Sequence, residues 1–380
     1  MIDPTGPTAR RFPIVARPRP ACQPLIRRVR DLRHRAAAAV DQQDRTAATV
    51  VFNLSALLAS DCGQPALAYR WCQHLAHMLL RRPPQNPKQA IASLEPIVNL
   101  ARLRTRAGDG PGAWSLLETL HQAITTRTDI NIDGIHIPAA CLTRTPDLHR
   151  ELSTWLWTVL LADGGRALTL AGRWAEAHRR LEQHRGVGRR MLDGRQIAVL
   201  AHAVAGDHDT ALTLLEDTER GEAWEAAVTT CLTMLCRPSS AGPADLRTVR
   251  QQLEPPPAEL VVFHTRLGLC LLDALPSNAL SAVPYIAAGL LRHAVTDGYA
   301  ARDLLNHPLC RSIATGQQLQ ALTDVVGACG LDAGAIPADS LGDITAALDQ
   351  AGTLLAGPGH GNQIAATLPA RSALTNRATS

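Results

Sequence analysis

The sequence predicts an all-α chain of stacked helical hairpins, and three observations lead there. The first is a string, Ala-Gly-(Asp/Arg)-x-x-x-Ala-x-x-x-Leu-Glu, that occurs three times. It reads Ala107-Gly108-Asp109…Ala113…Leu117-Glu118, then Ala171-Gly172-Arg173…Ala177…Leu181-Glu182, then Ala205-Gly206-Asp207…Ala211…Leu215-Glu216. A looser copy runs Cys62-Gly63-Gln64…Ala68…Cys72-Gln73. The second is the spacing: the last two strict copies start 34 residues apart, and a period in the thirties marks an array of helical hairpins. The third is composition. Hydrophobic residues make up 46% of the 380 and aromatics only 3%, so leucine, alanine and valine fill the interior. That favours close helix packing over strands, which draw on aromatic and β-branched residues.

Each fixed position of the string has a physical role. Glycine accepts positive φ where one helix stops and the chain turns. Asp109 and Asp207 stand where a carboxylate caps the next helix. The alanine five residues on lets two backbones approach, and the leucine four further lies on the same face.

Read in order, residues 1–20 are rich in proline and arginine without apolar periodicity, which predicts a flexible basic arm. Residues 21–236 form the repeat region. Three helices span Gln23 to Arg82, with turns near Asp44 and Gly63, and Pro83-Pro84 ends the third. Asn86 caps the next, with Pro87 at its first position; it runs to the turn at Gly108, and another spans about Ala113 to Thr126. Ile130, Ile132, Ile135 and Ile137 then alternate around Asp133-Gly134, a short-range β-hairpin signal. The hairpin is either a functional loop or a spacer over an apolar patch. Helices resume near Pro146 and continue to about Leu235. Residues 237–257 read as a Pro-rich linker, 258–350 as a C-terminal helical region without the repeat, and 351–380 as a disordered tail.

The string resembles the tetratricopeptide repeat, a 34-residue helix–turn–helix unit. The small residue that family places seven before the glycine is Ala56, Ala101 and Gly165 in three copies but Val199 in the fourth. The apolar residue eleven before it is Phe52, Ile97 and Leu161 but Arg195 in the fourth. The family's aromatic four before the glycine and its closing proline are absent, so the repeats are degenerate and the likeness covers roughly residues 45–220. The resemblance implies a right-handed α-solenoid whose first helices line a concave peptide-binding surface. Carried onto this chain, the lining positions are Asn53, Arg102, Arg106, Arg166, Asp193 and Gln196. Arginines there suit a carboxylate by bidentate pairing, which implies an acidic or carboxylate-terminated protein or peptide partner.

Several chemistries are disfavoured by the residues themselves. Lys88 is the sole lysine beside 37 arginines, as codon bias in a GC-rich genome would give. It lies in Asn86-Pro87-Lys88-Gln89, so there is no Gly-Lys-(Ser/Thr) phosphate loop and no well-placed Schiff-base lysine. His74 and His77 lie three apart but lack a third metal ligand, and read as a packed pair beside Trp71. Cys141 with His136 and His149 has no orienting group to make a thiol–imidazole pair. The acidic run Glu216, Asp217, Glu219, Glu222 and Glu225 reads as a solvated helix end. Gly357–Gly361 follows no strand and is no dinucleotide loop. Trp155 and Trp157 project about 200° apart on a helix, which makes Trp155 a candidate surface anchor. Residues 1–35 carry nine arginines against Asp3 and Asp31, a charge that reads as a solvated face before it reads as a nucleic-acid contact, since no aromatics are interleaved.

No run of about 18 apolar residues is free of charge, no secretory h-region follows the N-terminus, and nine unpatterned cysteines suit a reduced, cytoplasmic setting. The expectation is therefore a non-catalytic helical-repeat scaffold or regulator with no metal and no cofactor. Its rivals are a biosynthetic enzyme with a site between the repeats and the C-terminal helices, and a ligand-sensing transcriptional regulator.

Overall fold

The computed structural model describes residues 3–237, 256–275 and 281–356. Helix accounts for 73% of the described residues, and a two-stranded hairpin is the one sheet among them. A short helix α1 (Pro7–Arg11) precedes α2 (Leu25–Asp41), α3 (Arg45–Asp61), α4 (Pro65–Leu80), α5 (Pro87–Arg106) and α6 (Gly110–Thr126). The hairpin β1 (Ile130–Ile132) and β2 (Ile135–Ile137) follows, paired antiparallel with Ile130 opposite Ile137. Then come α7 (Ala139–Leu142), α8 (Pro146–Val159), a π-helical turn (Leu160–Gly164), α9 (Gly165–Leu170), α10 (Trp174–Gln183), α11 (Asp193–Val204), α12 (His208–Glu216) and α13 (Ala223–Cys236). The C-terminal part comprises α14 (Val261–Ala274), α15 (Val283–Ala294), α16 (Gly298–Leu305), α17 (Pro308–Ile313), α18 (Gly316–Ala328) and α19 (Ala338–Ala356).

The four string positions share one turn geometry. Gly63, Gly108, Gly172 and Gly206 all have φ between +74° and +84°. At each, the N–H of the next residue returns to the carbonyl five residues back: Gln64 to Ala59, Asp109 to Arg104, Arg173 to Leu168, Asp207 to His202. Such a closure satisfies a carbonyl that the helix end would leave open. The Asp109 carboxylate then accepts from Gly112 N at 2.8 Å, and Asp207 from Thr210 N at 3.2 Å. Asn86 caps α5 through Gln89 N as its sequence suggested. Ala68, Ala113, Ala177 and Ala211 are fully buried, and the larger residues four positions on are buried as well. Approach is close where α6 meets α9: a Cβ on Gly110 would lie 2.3 Å from the Ala167 carbonyl oxygen.

The helices that begin each motif lie side by side, α3 on α5, α5 on α9, α9 on α11, while each also packs on the helix that follows it. The hairpin rests on α4. Ile132, Ile135 and Ile137 are buried, and Arg104 holds both Asp133 carboxylate oxygens at 2.7 and 2.8 Å. Its apolar face covers core, so of the two sequence readings the packing one describes its contacts.

Two expectations give way. Residues 3–20 are not a free arm: Ala9, Phe12 and Ile14 belong to the main core. The absence of helical periodicity concealed them, because they pack by tertiary contact and not by repeat. The C-terminal helix also runs past residue 350 to Ala356, because Ala351 and Leu355 extend the buried stripe of Ile344, Ala347 and Leu348. It packs against α2, α3 and α4, and Arg45 donates to the Leu354 and Leu355 carbonyls at its end. Residues 238–255 of the expected linker, and 357–380 of the expected tail, lie outside the described residues.

Two substitutions test this packing. Ala211→Leu should overpack the α11–α12 contact and lower stability by about 1–3 kcal/mol in thermal melts. Gly110→Ala should lower the melting temperature at least as much, since the atom its methyl meets is backbone and cannot rotate away; Gly108→Ala has open space around it and should act only through its positive φ, about 1 kcal/mol. Equal melting of wild type and Gly110→Ala would contradict the close α6–α9 approach.

Candidate functional site

The residues that the sequence singled out on the first helices meet the chain's own N-terminus. Residues 12–17, Phe-Pro-Ile-Val-Ala-Arg, run without regular secondary structure across α9 and α11. Gln196, on α11 and fully buried, accepts from Ile14 N at 2.7 Å and donates to Ile14 O at 2.8 Å. Its Nε2 also reaches the Met191 carbonyl at 3.1 Å. One primary amide thus satisfies both main-chain groups of a buried residue, as a neighbouring strand would. Arg166 on α9 donates to Pro13 O at 3.3 Å, and Asp193 at the start of α11 accepts from Arg17. Trp174 adds an indole N–H bond to Pro4 O at 2.9 Å.

The other side of the segment is held by the C-terminal helices. Asp273 on α14 accepts from Thr8 Oγ1 at 2.6 Å, from Arg11, and from buried His307 at 2.9 Å. The other ring nitrogen of His307 accepts from Cys310 N, which leaves Nε2 as the protonated position facing the carboxylate. Burial alone would raise the Asp273 pKa, but these three donors outweigh it and hold it below the ordinary value. Further along, Arg19 N donates to Glu259 O, and Cys22 N to the Asp297 carboxylate.

Asn53, Arg102 and Arg106 form a separate polar network on the same row of helices. Asn53 donates to Glu95 at 3.0 Å and accepts from Asn99, whose amide oxygen accepts from Arg102. Arg102 also pairs with Asp163 of the π turn at 2.7 Å. Arg106 pairs at 2.9 Å with Asp61, a buried carboxylate that Arg28 and the Tyr299 hydroxyl also contact. Two of the three expected groove arginines therefore already have carboxylate partners. Trp155 is half-buried against the core, outside both networks. The sequence reading missed Phe12, Ile14, Asp61, Asp273, His307 and Tyr299; Phe12-Pro13-Ile14 in a basic stretch was the available signal.

Arg166 differs from its neighbours. It has no ion pair among the described residues; burial, then Arg266 and Arg19, push its pKa down to about 9, with Asp303 and Asp193 opposing. Burial raises the Asp193 pKa as well, against the pull of Arg17. The thiols near Asp273 are in the opposite condition: burial pushes Cys270 and Cys310 up to about 12, so they stay protonated and weakly nucleophilic. Among the described residues no cluster of three or more histidine, cysteine or acidic side chains has the arrangement of a metal site. No described helix is long and apolar enough to cross a membrane.

No protein-family model, no curated protein and no solved structure matches the chain.

The site's supporting shell makes a pH prediction. Glu225 is buried and accepts from Arg190, from Met191 N at 3.2 Å and from Glu222 N at 3.0 Å. It thereby fixes the loop whose Met191 carbonyl orients Gln196. The Arg190 hydrogen bond, opposed by burial and aided by the backbone donors, lowers the Glu225 pKa. A depressed carboxylate contributes stability that is present above its unfolded value and lost as pH falls through the folded one. Wild type should therefore lose stability below about pH 4.3. Glu225→Gln should be less stable at pH 7 but show a smaller acid loss in chemical denaturation; equal pH slopes would remove Glu225 from this role.

Proposed function

We propose that this chain is a non-catalytic, peptide-binding helical-repeat protein: a right-handed solenoid of degenerate tetratricopeptide-like hairpins whose first helices grip an extended segment. The observation that carries the reading is the Gln196 clamp on Ile14. An amide that bonds main chain recognises extended backbone whatever its side chains, and backbone bonds with pockets for alternate residues are a recurring mode of peptide recognition. The recurrent glycine turns, the buried alanines and the side-by-side first helices support the solenoid part. The partner is an acidic or carboxylate-terminated peptide, with Arg166 as the arginine that lacks a carboxylate of its own.

In this reading the N-terminal segment occupies the binding surface in cis. A labelled peptide of residues 7–20 should bind a full-length chain carrying Thr8→Ala and Arg11→Ala, which frees the segment from Asp273 while leaving the α9–α11 face intact. Adding Gln196→Leu should abolish that binding in fluorescence anisotropy and lower stability by about 1–3 kcal/mol, the usual consequence of an unsatisfied buried donor. If the peptide binds the Gln196→Leu chain as well as the parent, the clamp is not the recognition element.

A further inference from the structure

A pair of thiols, independent of whatever the groove binds, stands where the two ends of the chain meet. The C-terminal helix α19 packs on α2, α3 and α4, and in the turn before it Asp332 N donates to the Asp61 carbonyl at 2.7 Å. Cys22, just ahead of α2, lies in the same seam. Its N–H donates to Asp297 at 2.8 Å, and its carbonyl accepts from Gly298 N at 3.0 Å. Cys329, at the end of α18, donates from Sγ to that same carbonyl at 3.1 Å. The two residues are 307 positions apart in sequence, yet their sulfurs converge on one point. A Cβ on Gly298 would lie 2.8 Å from Cys329 Sγ and 3.0 Å from Cys22 Sγ. Glycine leaves that space to the sulfurs.

The surroundings make the two thiols unequal. The Cys22 thiol donates to the Cys329 sulfur; that bond, with burial, raises the Cys22 pKa, and the same bond lowers that of Cys329 against its burial. The Arg28 guanidinium, 3.7 Å from Cys22 Sγ, favours a thiolate at either position. Elsewhere burial prevails, and it pushes Cys72, Cys270 and Cys310 up to about 12.

We propose that Cys22 and Cys329 form a redox clasp: a hydroperoxide converts them to a disulfide that ties the start of α2 to the end of α18. The Cys329 thiolate attacks the hydroperoxide. An S–O bond forms, the O–O bond breaks, and the departing oxygen takes the Cys329 proton to leave as water or an alcohol. Cys22 then attacks the Cys329 sulfenic acid. The S–S bond forms, the S–O bond breaks, and hydroxide leaves as water with the Cys22 proton. Two thiols lose two electrons and the peroxide gains them. A thiol reductant reverses the bond by exchange. Residues 17–20, next to Cys22, are exposed, so a small oxidant has a path along them. A cross-link that closes so long a loop restricts the unfolded chain and stabilises the folded one.

The experiment exposes the reduced full-length protein to hydrogen peroxide, alkylates the remaining thiols in denaturant and maps the digest by mass spectrometry. A Cys22–Cys329 peptide should appear within single chains, the melting temperature should rise by at least about 5 °C, and dithiothreitol should reverse both. Cys22→Ser should stop the cross-link and leave Cys329 as a sulfenic acid that dimedone captures, whereas Cys329→Ser should leave no such adduct on Cys22. Gly298→Ala, whose methyl would press on both sulfurs, should cut the yield several-fold. Mapping the wild type requires no variant to fold. Oxidation of Cys141, the one cysteine that is not buried, without the Cys22–Cys329 link would overturn the clasp. So would pairing of either residue with Cys62, whose sulfur lies beside Gly330, or cross-links that form between chains alone. Dimedone capture on Cys22 instead of Cys329 would overturn the order of attack.

Discussion

A buried main chain must have its hydrogen bonds supplied, and in this protein that requirement falls on Gln196. The segment around Ile14 is neither helix nor sheet, yet it lies inside the core beside Phe12. Without a side chain to answer both its N–H and its C=O, it could not stay there. The Gln196 amide does so without placing a charge in the interior, and it is itself oriented by the Met191 carbonyl. Met191 is in turn held by Glu225, whose carboxylate Arg190 keeps ionised. The order of the segment is thus inherited from α13 through two relays, and a substitution far from Ile14 can loosen it.

The repeat supplies the platform on which this happens. Close approach of helices needs small residues, and small residues bury little area each, so stability comes from many repeated contacts and not from a few large ones. Glycine ends each first helix in the left-handed region, which fixes the direction in which the second helix departs. Because the same turn recurs, first helices come to lie beside first helices, and positions far apart in sequence, such as Arg102 and Asp163, become neighbours. The π turn at Leu160–Gly164 is where that regularity is interrupted, and it carries Asp163 to Arg102 and places Arg166 one turn later. Such bulges commonly occur where a side chain has been re-aimed for use.

Local signals in the sequence were legible and long-range ones were not. Asn86, Asp109 and Asp207 announced their helix starts because capping is a contact three residues long. The isoleucine alternation announced the hairpin for the same reason. The first-helix residues were selected by repeat position alone, and the structure places Arg166, Asp193 and Gln196 together against one segment, Asn53, Arg102 and Arg106 in a second network, and Trp155 in neither. The segment itself was read as a solvated arm because its bonds span 153 to 182 residues and leave no periodic trace. Arginine and proline dominated its composition, while Phe12 and Ile14, the two residues that decide its fate, were too few to register as a pattern. The final turns of α19 were missed similarly: Ala351 and Leu355 continue a helical stripe, but small residues near a chain end resemble a tail.

The two sides of the segment differ in kind, and that difference matters for how it could move. On the α9–α11 side Ile14 is held by the neutral Gln196 amide and buried apolar side chains, which salt barely affects, beside the Arg166 contact to Pro13 and the Arg17–Asp193 pair. On the α14 side it is held by Thr8 and Arg11 on Asp273, a carboxylate that is partly exposed and shared with His307. Partly exposed ion pairs weaken with ionic strength and contribute less than buried ones. By that argument the Arg17–Asp193 pair and the Asp273 latch are the contacts that ionic strength weakens, and the Gln196 clamp is the one it weakens least. Because His307 stays bonded to Asp273 when Arg11 leaves, the carboxylate is not stranded and α14 need not rearrange. Opening can then proceed from the chain's beginning toward Ile14, which is the direction that would expose Arg166 before the backbone bonds of Ile14 are surrendered.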